Sequence, residues 1–226
     1  MPTAPIVECV PNVSEGRDPG RLRRLRAVVA AVPGVTLANV HADPDHHRSV
    51  FTFLGRPDAV AAGALALADA VLAEIDMRAH RGIHPRLGAL DVVPFVPLAG
   101  VTMAEAVTLA RQVGHELAKR HALPVYYYGQ AARGPGRRTL RELRHGEYEG
   151  LAERLATPDG APDDGPARGV RRPRAGRRRP RSLPPRPLPR RLGVGRTACR
   201  GTEEHPGFAG ARRSEGYRGP GSRPPI

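Results

Sequence analysis

The chain has 226 residues, which is enough for one large domain or two small ones, and a formal net charge of +14. The charge is concentrated in residues 170–226, where 16 arginines stand against three acidic residues; residues 1–169 hold 20 basic and 19 acidic residues. This balance excludes a strongly basic binding face on residues 1–169. Neither Cys9 nor Cys199 has a metal-like or redox-like spacing, so a disulfide framework is also excluded.

No stretch of the chain predicts a membrane partner. The N-terminus lacks the basic and then apolar pattern of a signal peptide. The longest apolar stretch, residues 59–75, is interrupted by Asp69 and Glu74 and is too short to cross a bilayer. The sequence therefore predicts a cytoplasmic protein.

Strand-like and helix-like patterns alternate in the first part of the chain. Residues 6–10 are mostly apolar and end at Pro11, which predicts a first strand. Apolar residues at helical spacing in 21–32 predict a first helix, which Pro33 and Gly34 end. Similar signals predict strands at 35–41 and 49–54 and a helix at 57–75.

The second part of the chain continues the alternation. Thr102 precedes a helical pattern over residues 103–121, and Glu105 stands where a capping box needs its acidic partner. The other elements predicted here are strands at 91–97 and 124–128 and one or two short helices within 140–155. The order of elements predicts an α+β fold with a mixed sheet packed on helices, in a ferredoxin-like arrangement.

The most informative segment for chemistry is residues 81–91, a loop that leads into an apolar strand. Gly82, Pro85 and Gly88 interrupt regular structure in this loop, and His84 stands between two arginines. Histidine can take up and release a proton near neutral pH, and catalytic groups are often held on such loops. His84 is therefore the candidate catalytic residue.

Seven segments, in the same order along the chain, resemble the glutamate formimidoyltransferase family. They are residues 6–16, 43–53, 75–78, 81–91, 100–103, 124–126 and 146–151. The resemblance covers the first of the two α/β subdomains of that family, which enclose a folate site between them and commonly form a homodimer.

The resemblance implies transfer of a formimino group from N-formimino-L-glutamate to N5 of tetrahydrofolate, the co-substrate, in histidine breakdown. N5 attacks an amidine-like carbon, loses a proton, and a proton must reach the departing glutamate nitrogen. One histidine with a pKa near the ordinary value of about 6.5 can carry out both transfers in turn. The family's His-Pro-Arg motif places this role on His84. The residues leave open whether the donor carries a formimino or a formyl group.

Further residues are predicted to bind the donor or the folate. Arg48 and Arg86 suit carboxylates, because a guanidinium can make two parallel hydrogen bonds to one carboxylate. For Arg86 a purely structural role fits the sequence equally well. Asn12 and Glu15 stand where the first strand ends and can face the site. The predicted binding residues are Asn12, Glu15, His41, Arg48 and Arg86.

The chain departs from the pattern of the family in four places. His41 stands where many relatives carry Asp, His47 where they carry Asn, and Val13 where they carry Phe. Residues 160–166 lack both aromatic residues of the usual Trp-Ala-Pro-Asp-Phe-Gly-Pro segment. These departures concern contacts with the substrate and leave the resemblance intact.

Residues 170–226 are rich in Arg, Pro and Gly, which predicts disorder, because such a composition buries too little apolar surface to offset the ordering entropy. The sequence thus predicts a subdomain at 1–169 and a basic tail at 170–226. The family continues here into its second subdomain, and a frame change near Gly176 in GC-rich DNA would produce this composition. A genuine basic tail is the competing account. As written, the chain is expected to have little or no transferase activity, because catalysis needs a fully shaped site.

Two alternatives belong to other functional classes. A metal-dependent hydrolase would use imidazoles and carboxylates, although their spacing matches no standard site and no resident metal is predicted. A nucleic-acid binder would use the arginine-rich tail, for which only non-specific binding is expected. The residues that the metal alternative would use are His41, Asp43, Asp45, His46 and His47, with His80 and His84 as further ligands.

Overall fold

The computed structural model describes residues 4–134 and 139–166, and it has the predicted α+β class. The predicted disorder of residues 170–226 lies outside this range. The strands are β1 (Ile6–Cys9), β2 (Asn12–Val13), β3 (Val35–Asp43), β4 (Arg48–Gly55), β5 (Leu90–Val92) and β6 (Phe95–Ala99). The helices are α1 (Pro19–Ala30), α2 (Pro57–Glu74), α3 (Met103–His121), α4 (Leu140–Leu143) and α5 (Glu147–Arg154).

The described strands form one sheet in which every pairing is antiparallel. β1 and β2 lie end to end along the same neighbours, as do β5 and β6. Pro11 and Pro94 stand at these two interruptions, where a residue without an N–H cannot donate to the sheet. With each interrupted pair counted as one strand, the order across the sheet is β3, β4, β1/β2, β5/β6.

The prediction of a mixed sheet was wrong, and the connections explain why. α1 leads from β2 to β3 past the intervening β4, and α2 leads from β4 to β5 past β2. Strands that run in the same direction are therefore always separated by one that runs in the opposite direction. A mixed sheet would need a helical connection between two adjacent parallel strands, but here each helical connection skips one position.

The three long helices cover one face of the sheet. Along β4, buried and half-buried residues alternate, so Phe51 and Phe53 are fully buried while Val50 and Thr52 are not. The buried residues of β4 and β1 pack with Leu25, Leu67 and other apolar residues of α1 and α2 in a single core. The opposite face of the sheet carries the other side chains of β4, which begin with Arg48.

The predicted start of the helix at residues 103–121 is confirmed. The backbone N–H of Glu105 donates to Thr102 Oγ1 at 3.2 Å, and the N–H of Thr102 donates to Glu105 Oε2 at 2.7 Å. This reciprocal pair satisfies two N–H groups that have no partner within the helix. Within the described residues, none of the helices combines the length and apolar character needed to cross a membrane.

The predicted strand at residues 124–128 was wrong. This segment makes one isolated bridge, between Val125 and Asp164, and does not join the sheet. The backbone N–H of Tyr127 donates instead to Asp163 Oδ2 at 2.8 Å, and its hydroxyl donates to Arg111 O at 2.9 Å. The alternation of apolar and aromatic residues here reflects packing against α3 and not a position in a sheet.

The segment after β2 packs directly on the β3–β4 hairpin. A Cβ atom on Gly16 would overlap Asp43 O and lie 2.6 Å from the backbone nitrogen of Arg48. Only a residue without a side chain allows this approach. Gly16 therefore sets the distance between the first loop and the start of β4.

We expect Gly16→Ala to lower the free energy of unfolding by about 1–3 kcal/mol or more, because the added methyl group meets backbone atoms that cannot move independently. The matched control is Gly150→Ala in α5, where the new Cβ would meet nothing within 4 Å and should stabilise the helix by up to about 1 kcal/mol. Urea denaturation of both variants checks this. Equal effects of the two substitutions would contradict the close approach at Gly16.

Candidate functional site

A small pocket forms where the end of β2, the β3–β4 turn and the loop before β5 come together. The structure brings three of the predicted site residues into this pocket, namely His84, Arg48 and Arg86. The other predicted residues, Asn12, Glu15 and His41, lie outside it. The pocket also contains three histidines that the sequence analysis considered only as ligands in the metal-hydrolase alternative, His46, His47 and His80.

His84 contacts Arg48 directly. Its Nε2 lies 2.6 Å from Arg48 Nη1. A guanidinium can only donate hydrogen bonds, so Nε2 accepts through its lone pair and the ring proton is assigned to Nδ1. Burial and the neighbouring Arg48 charge both lower the pKa of His84, which favours the neutral ring. The ring therefore has the protonation state of a general base.

Arg86 is buried and is paired with two carboxylates. Its Nη1 donates to Glu147 Oε2 at 2.6 Å, and its Nη2 donates to Glu149 Oε1 at 2.7 Å. Both acids lie at the start of α5, in one of the segments that carries the resemblance. In the described structure Arg86 thus attaches α5 to the His84 loop, whereas binding of a substrate carboxylate by Arg86 stays a prediction.

His80 connects Arg86 with the β3–β4 turn. Its Nδ1 accepts from Arg86 Nε at 3.2 Å, so its proton is on Nε2, which donates to His47 O at 3.1 Å. The rings of His80 and His47 stack with their centroids 4.3 Å apart and an angle of 13° between them. Burial lowers the pKa of His80, which keeps this ring neutral beside the Arg86 charge.

His47 stands in a turn where the backbone restricts the choice of residue. Its φ angle is +50°, in the left-handed region that Asn, Asp, His and Gly tolerate best. Its Nδ1 lies 2.9 Å from Arg81 O, and its Nε2 lies 3.3 Å from Glu15 Oε1. A Cβ atom on Gly82 would lie 3.0 Å from His47 Cβ, so the His84 loop also packs tightly on this turn.

Glu15 is buried beside His47 and does not line the pocket itself. Its Oε1 accepts from the backbone N–H groups of Arg17 at 2.8 Å and Asp18 at 3.0 Å, and Oε2 accepts from Arg21. Burial alone would raise the pKa of Glu15, but these hydrogen bonds and the Arg21 charge outweigh it and lower the pKa. Glu15 therefore stays ionised and joins the start of α1 to His47.

Asn12 and His41 lie in one row across the sheet. Both pair with Val50 of β4, from opposite sides, and so they share its face, the face to which Arg48 also belongs. His41 is exposed and Asn12 is half-buried. Both therefore lie beside the pocket on the face that the helices leave open, and their binding roles stay predictions.

The loop that carries His84 is closed by side chains that the sequence analysis did not select. Asp91 Oδ1 accepts from the backbone N–H of Leu87 at 2.7 Å, and its Oδ2 accepts from Arg144. Ser14 Oγ donates to Gly88 O at 2.8 Å. The contacts of Asp91 with Arg144 and of Ser14 with Gly88 join residues more than 50 positions apart, so no local pattern could have pointed to them.

The metal-hydrolase alternative finds no support in the described residues. No group of three or more His, Cys, Asp or Glu side chains in residues 4–134 and 139–166 is arranged to hold a metal ion. Asp43 Oδ2 instead lies 2.6 Å from His46 Nδ1, and the His46 ring meets the His84 ring edge-on with 6.5 Å between centroids. His41 is exposed on β3.

The fold and this pocket define an α+β domain with a neutral histidine and an arginine at the open face of its sheet. The family described as "Formiminotransferase domain, N-terminal subdomain" matches residues 6–177. The chain therefore belongs to the formiminotransferase family, and the matched part is its N-terminal subdomain.

Individual relatives agree with this assignment. The formimidoyltransferase-cyclodeaminase of Sus scrofa is 49% identical over 162 residues, which are 72% of this chain and 30% of the relative. The glutamate formimidoyltransferase of Thermoplasma acidophilum is 44% identical over 164 residues, and that of Streptococcus pyogenes serotype M1 is 40% identical over 162 residues. Each of these alignments covers 72% of this chain and 54% of the relative. The chain thus spans between 30% and 54% of the length of these curated relatives.

We expect acid to destabilise the domain in part through His80. Its pKa is lower in the folded chain than in the unfolded chain, so its contribution is present above about pH 6.5 and is lost as the pH falls through the folded pKa. His80→Gln keeps a donor and an acceptor but does not titrate. The free energy of unfolding of this variant, from urea denaturation at several pH values, should fall less on acidification. The exposed His145→Gln serves as the control, and an unchanged slope for His80→Gln would contradict this role.

Proposed function

We propose that this chain provides the His84-bearing part of a glutamate formimidoyltransferase site. The reaction is transfer of the formimino group from N-formimino-L-glutamate to N5 of tetrahydrofolate, in histidine degradation. The observation that carries this proposal is the contact between His84 and Arg48 in a pocket of a formiminotransferase subdomain. It combines a proton acceptor with a cation suited to a carboxylate.

His84 would act on the two nitrogens of the reaction. N5 of tetrahydrofolate attacks the formimino carbon, and His84 Nε2 takes the proton that N5 loses. The resulting imidazolium then donates this proton to the glutamate nitrogen as the carbon–nitrogen bond breaks. The lowered pKa of His84 supports this role, because it keeps the accepting form populated at neutral pH. One residue thus serves as base and then as acid.

The remaining predicted residues divide into two groups. Arg48 would bind a carboxylate of N-formimino-L-glutamate or of the glutamyl tail of the folate, since no carboxylate among the described residues forms an ion pair with it. Asn12 and His41 would contact the substrates from the open face of the sheet. Glu15 and Arg86 would act indirectly, by holding in place the turn and the loop whose residues line the pocket.

Other predictions from the sequence and from the family resemblance also belong to the proposal. They are a ferredoxin-like subdomain within residues 1–169, a separate tail at 170–226, a homodimer and a cytoplasmic location. The arginine-rich tail lies outside the described residues, and nothing in the described part favours nucleic-acid binding as a second function.

We expect a fusion protein to show formimino transfer when residues 6–166 of this chain replace the matching region of the Thermoplasma acidophilum enzyme. In this fusion His84→Asn should lower the rate by about 10²–10⁴, the usual contribution of a positioned acid or base. Formation of 5-formiminotetrahydrofolate is the measurement. The exposed His145→Asn is the matched control.

The proposal fails if the fusion folds and binds both substrates but transfers nothing, or if His84→Asn is as active as the parent fusion. The unfused 226-residue chain is expected to show little or no turnover, because the family match covers only an N-terminal subdomain. Robust turnover by that chain would overturn this second expectation.

A further inference from the structure

Arg48 differs from the other arginines around the pocket in what balances its charge. Arg86 and Arg144 are each held by protein carboxylates. Among the described residues, no ion pair includes Arg48, and its Nε is buried without a hydrogen-bond partner. Its guanidinium instead donates to His84 Nε2 at 2.6 Å. A full positive charge is thus placed against a neutral ring.

This contact occupies the atom that the reaction needs. With its proton on Nδ1, His84 has one lone pair in the plane of the ring, on Nε2. Arg48 donates to that lone pair, so Nε2 cannot accept a proton from a substrate while the contact lasts. The base becomes available only after the Arg48 side chain has moved away.

A carboxylate is the ligand that can move it. Two parallel charge-assisted hydrogen bonds to a carboxylate are stronger than one bond to a neutral ring. The Arg48 backbone pairs with Asp43 in the sheet and lies against Gly16, so the side chain and not the backbone has to swing. We propose that Arg48 gates His84: it covers the base in the empty site and releases it when a substrate carboxylate binds.

This inference rests on the proposed function and adds to it a control of the base by the substrate. Its carboxylate can come from the N-formimino-L-glutamate donor or from the glutamyl tail of the folate. In either case the base is uncovered only when a substrate is present.

The electrostatics of the pocket give the gate a measurable signature. Burial, Arg48, Arg144 and His46 all lower the pKa of His84, whereas Asp91 acts in the opposite direction. A carboxylate bound to Arg48 offsets the positive charge nearest to the ring. The pKa of His84 should therefore rise toward its ordinary value, so that release of the lone pair also makes the base stronger.

The experiment follows the histidine ring nitrogens by NMR in the 226-residue chain labelled with ¹⁵N-histidine. The pH titration of His84 is recorded without a probe, with N-formyl-L-glutamate, which resembles the donor, and with p-aminobenzoyl-L-glutamate, which resembles the folate tail. N-formyl-L-glutamine amide, which has no carboxylate, is the control ligand. We expect at least one carboxylate probe to raise the pKa of His84, and the amide to leave it unchanged. The probe that acts at the lower concentration identifies the source of the carboxylate.

Substitutions at two arginines provide the matched comparison. Arg48→Gln should raise the pKa of His84 without any probe and weaken probe binding by about tenfold or more. Arg48→Lys should keep the pKa of His84 low, because the charge remains, and should still bind the probe less well because it lacks the two-pronged guanidinium. Arg81→Gln should change neither quantity, since within residues 4–134 and 139–166 that exposed guanidinium donates only to the backbone oxygens of Arg78 and His80.

Two results would overturn the gate. One is a carboxylate probe that binds near Arg48 while the titration of His84 stays the same, and the other is the absence of binding by both probes. The probe titrations use the unsubstituted chain, so they decide the matter even if Arg48→Gln does not fold. Transfer by the fusion protein tests the proposed function separately, and it can succeed while the gate fails.

Discussion

Two buried charges, Glu15 and Arg86, organise this subdomain, because a buried charge is tolerated only when it is paired and hydrogen-bonded. Glu15 collects donors from the start of α1, and Arg86 collects carboxylates from the start of α5. The stacked rings of His47 and His80 lie between them and contact one charge each. Through these four side chains, α1 is connected to α5, the last helix of the described residues. The His84 loop and the start of β4 are positioned from this chain of contacts.

The sequence predicted the elements of the fold better than their arrangement. Local signals were sufficient for the helix at 103–121 and its capping box, since the residues that form the cap are three positions apart. The sheet was predicted as mixed from the order of strands and helices, and this order does not show that each helical connection skips one strand. Residues 124–128 have the composition of a strand. The residues with which they form the bridge and the backbone hydrogen bond lie at 163–164, after α4 and α5 in the chain.

The same distinction between local and distant information applies to the pocket. His84 and Arg48 could be selected from residue type, loop context and family resemblance, and they do lie in contact. Glu15 was selected as a binding residue, but its carboxylate contacts the start of α1 and His47 and does not line the pocket. Asp91 was not selected, and His80 was considered only as a further ligand in the metal alternative. Part of the role of each depends on a partner that is distant in the sequence, His47 for His80 and Arg144 for Asp91, and a single sequence contains no record of such pairs.

The left-handed backbone at His47 has a consequence for how the family can vary. The family resemblance sets an Asn of the family pattern against His47, in a pocket that three other histidines also line. Both residues, however, satisfy the same requirement of a φ angle of +50°, and most others do not. The backbone conformation therefore limits the residue types that fit this position, independently of any reaction. Among these residue types, histidine adds a ring that stacks on His80. An exchange of His for Asn at this position would keep the backbone conformation and remove the ring that stacks on His80.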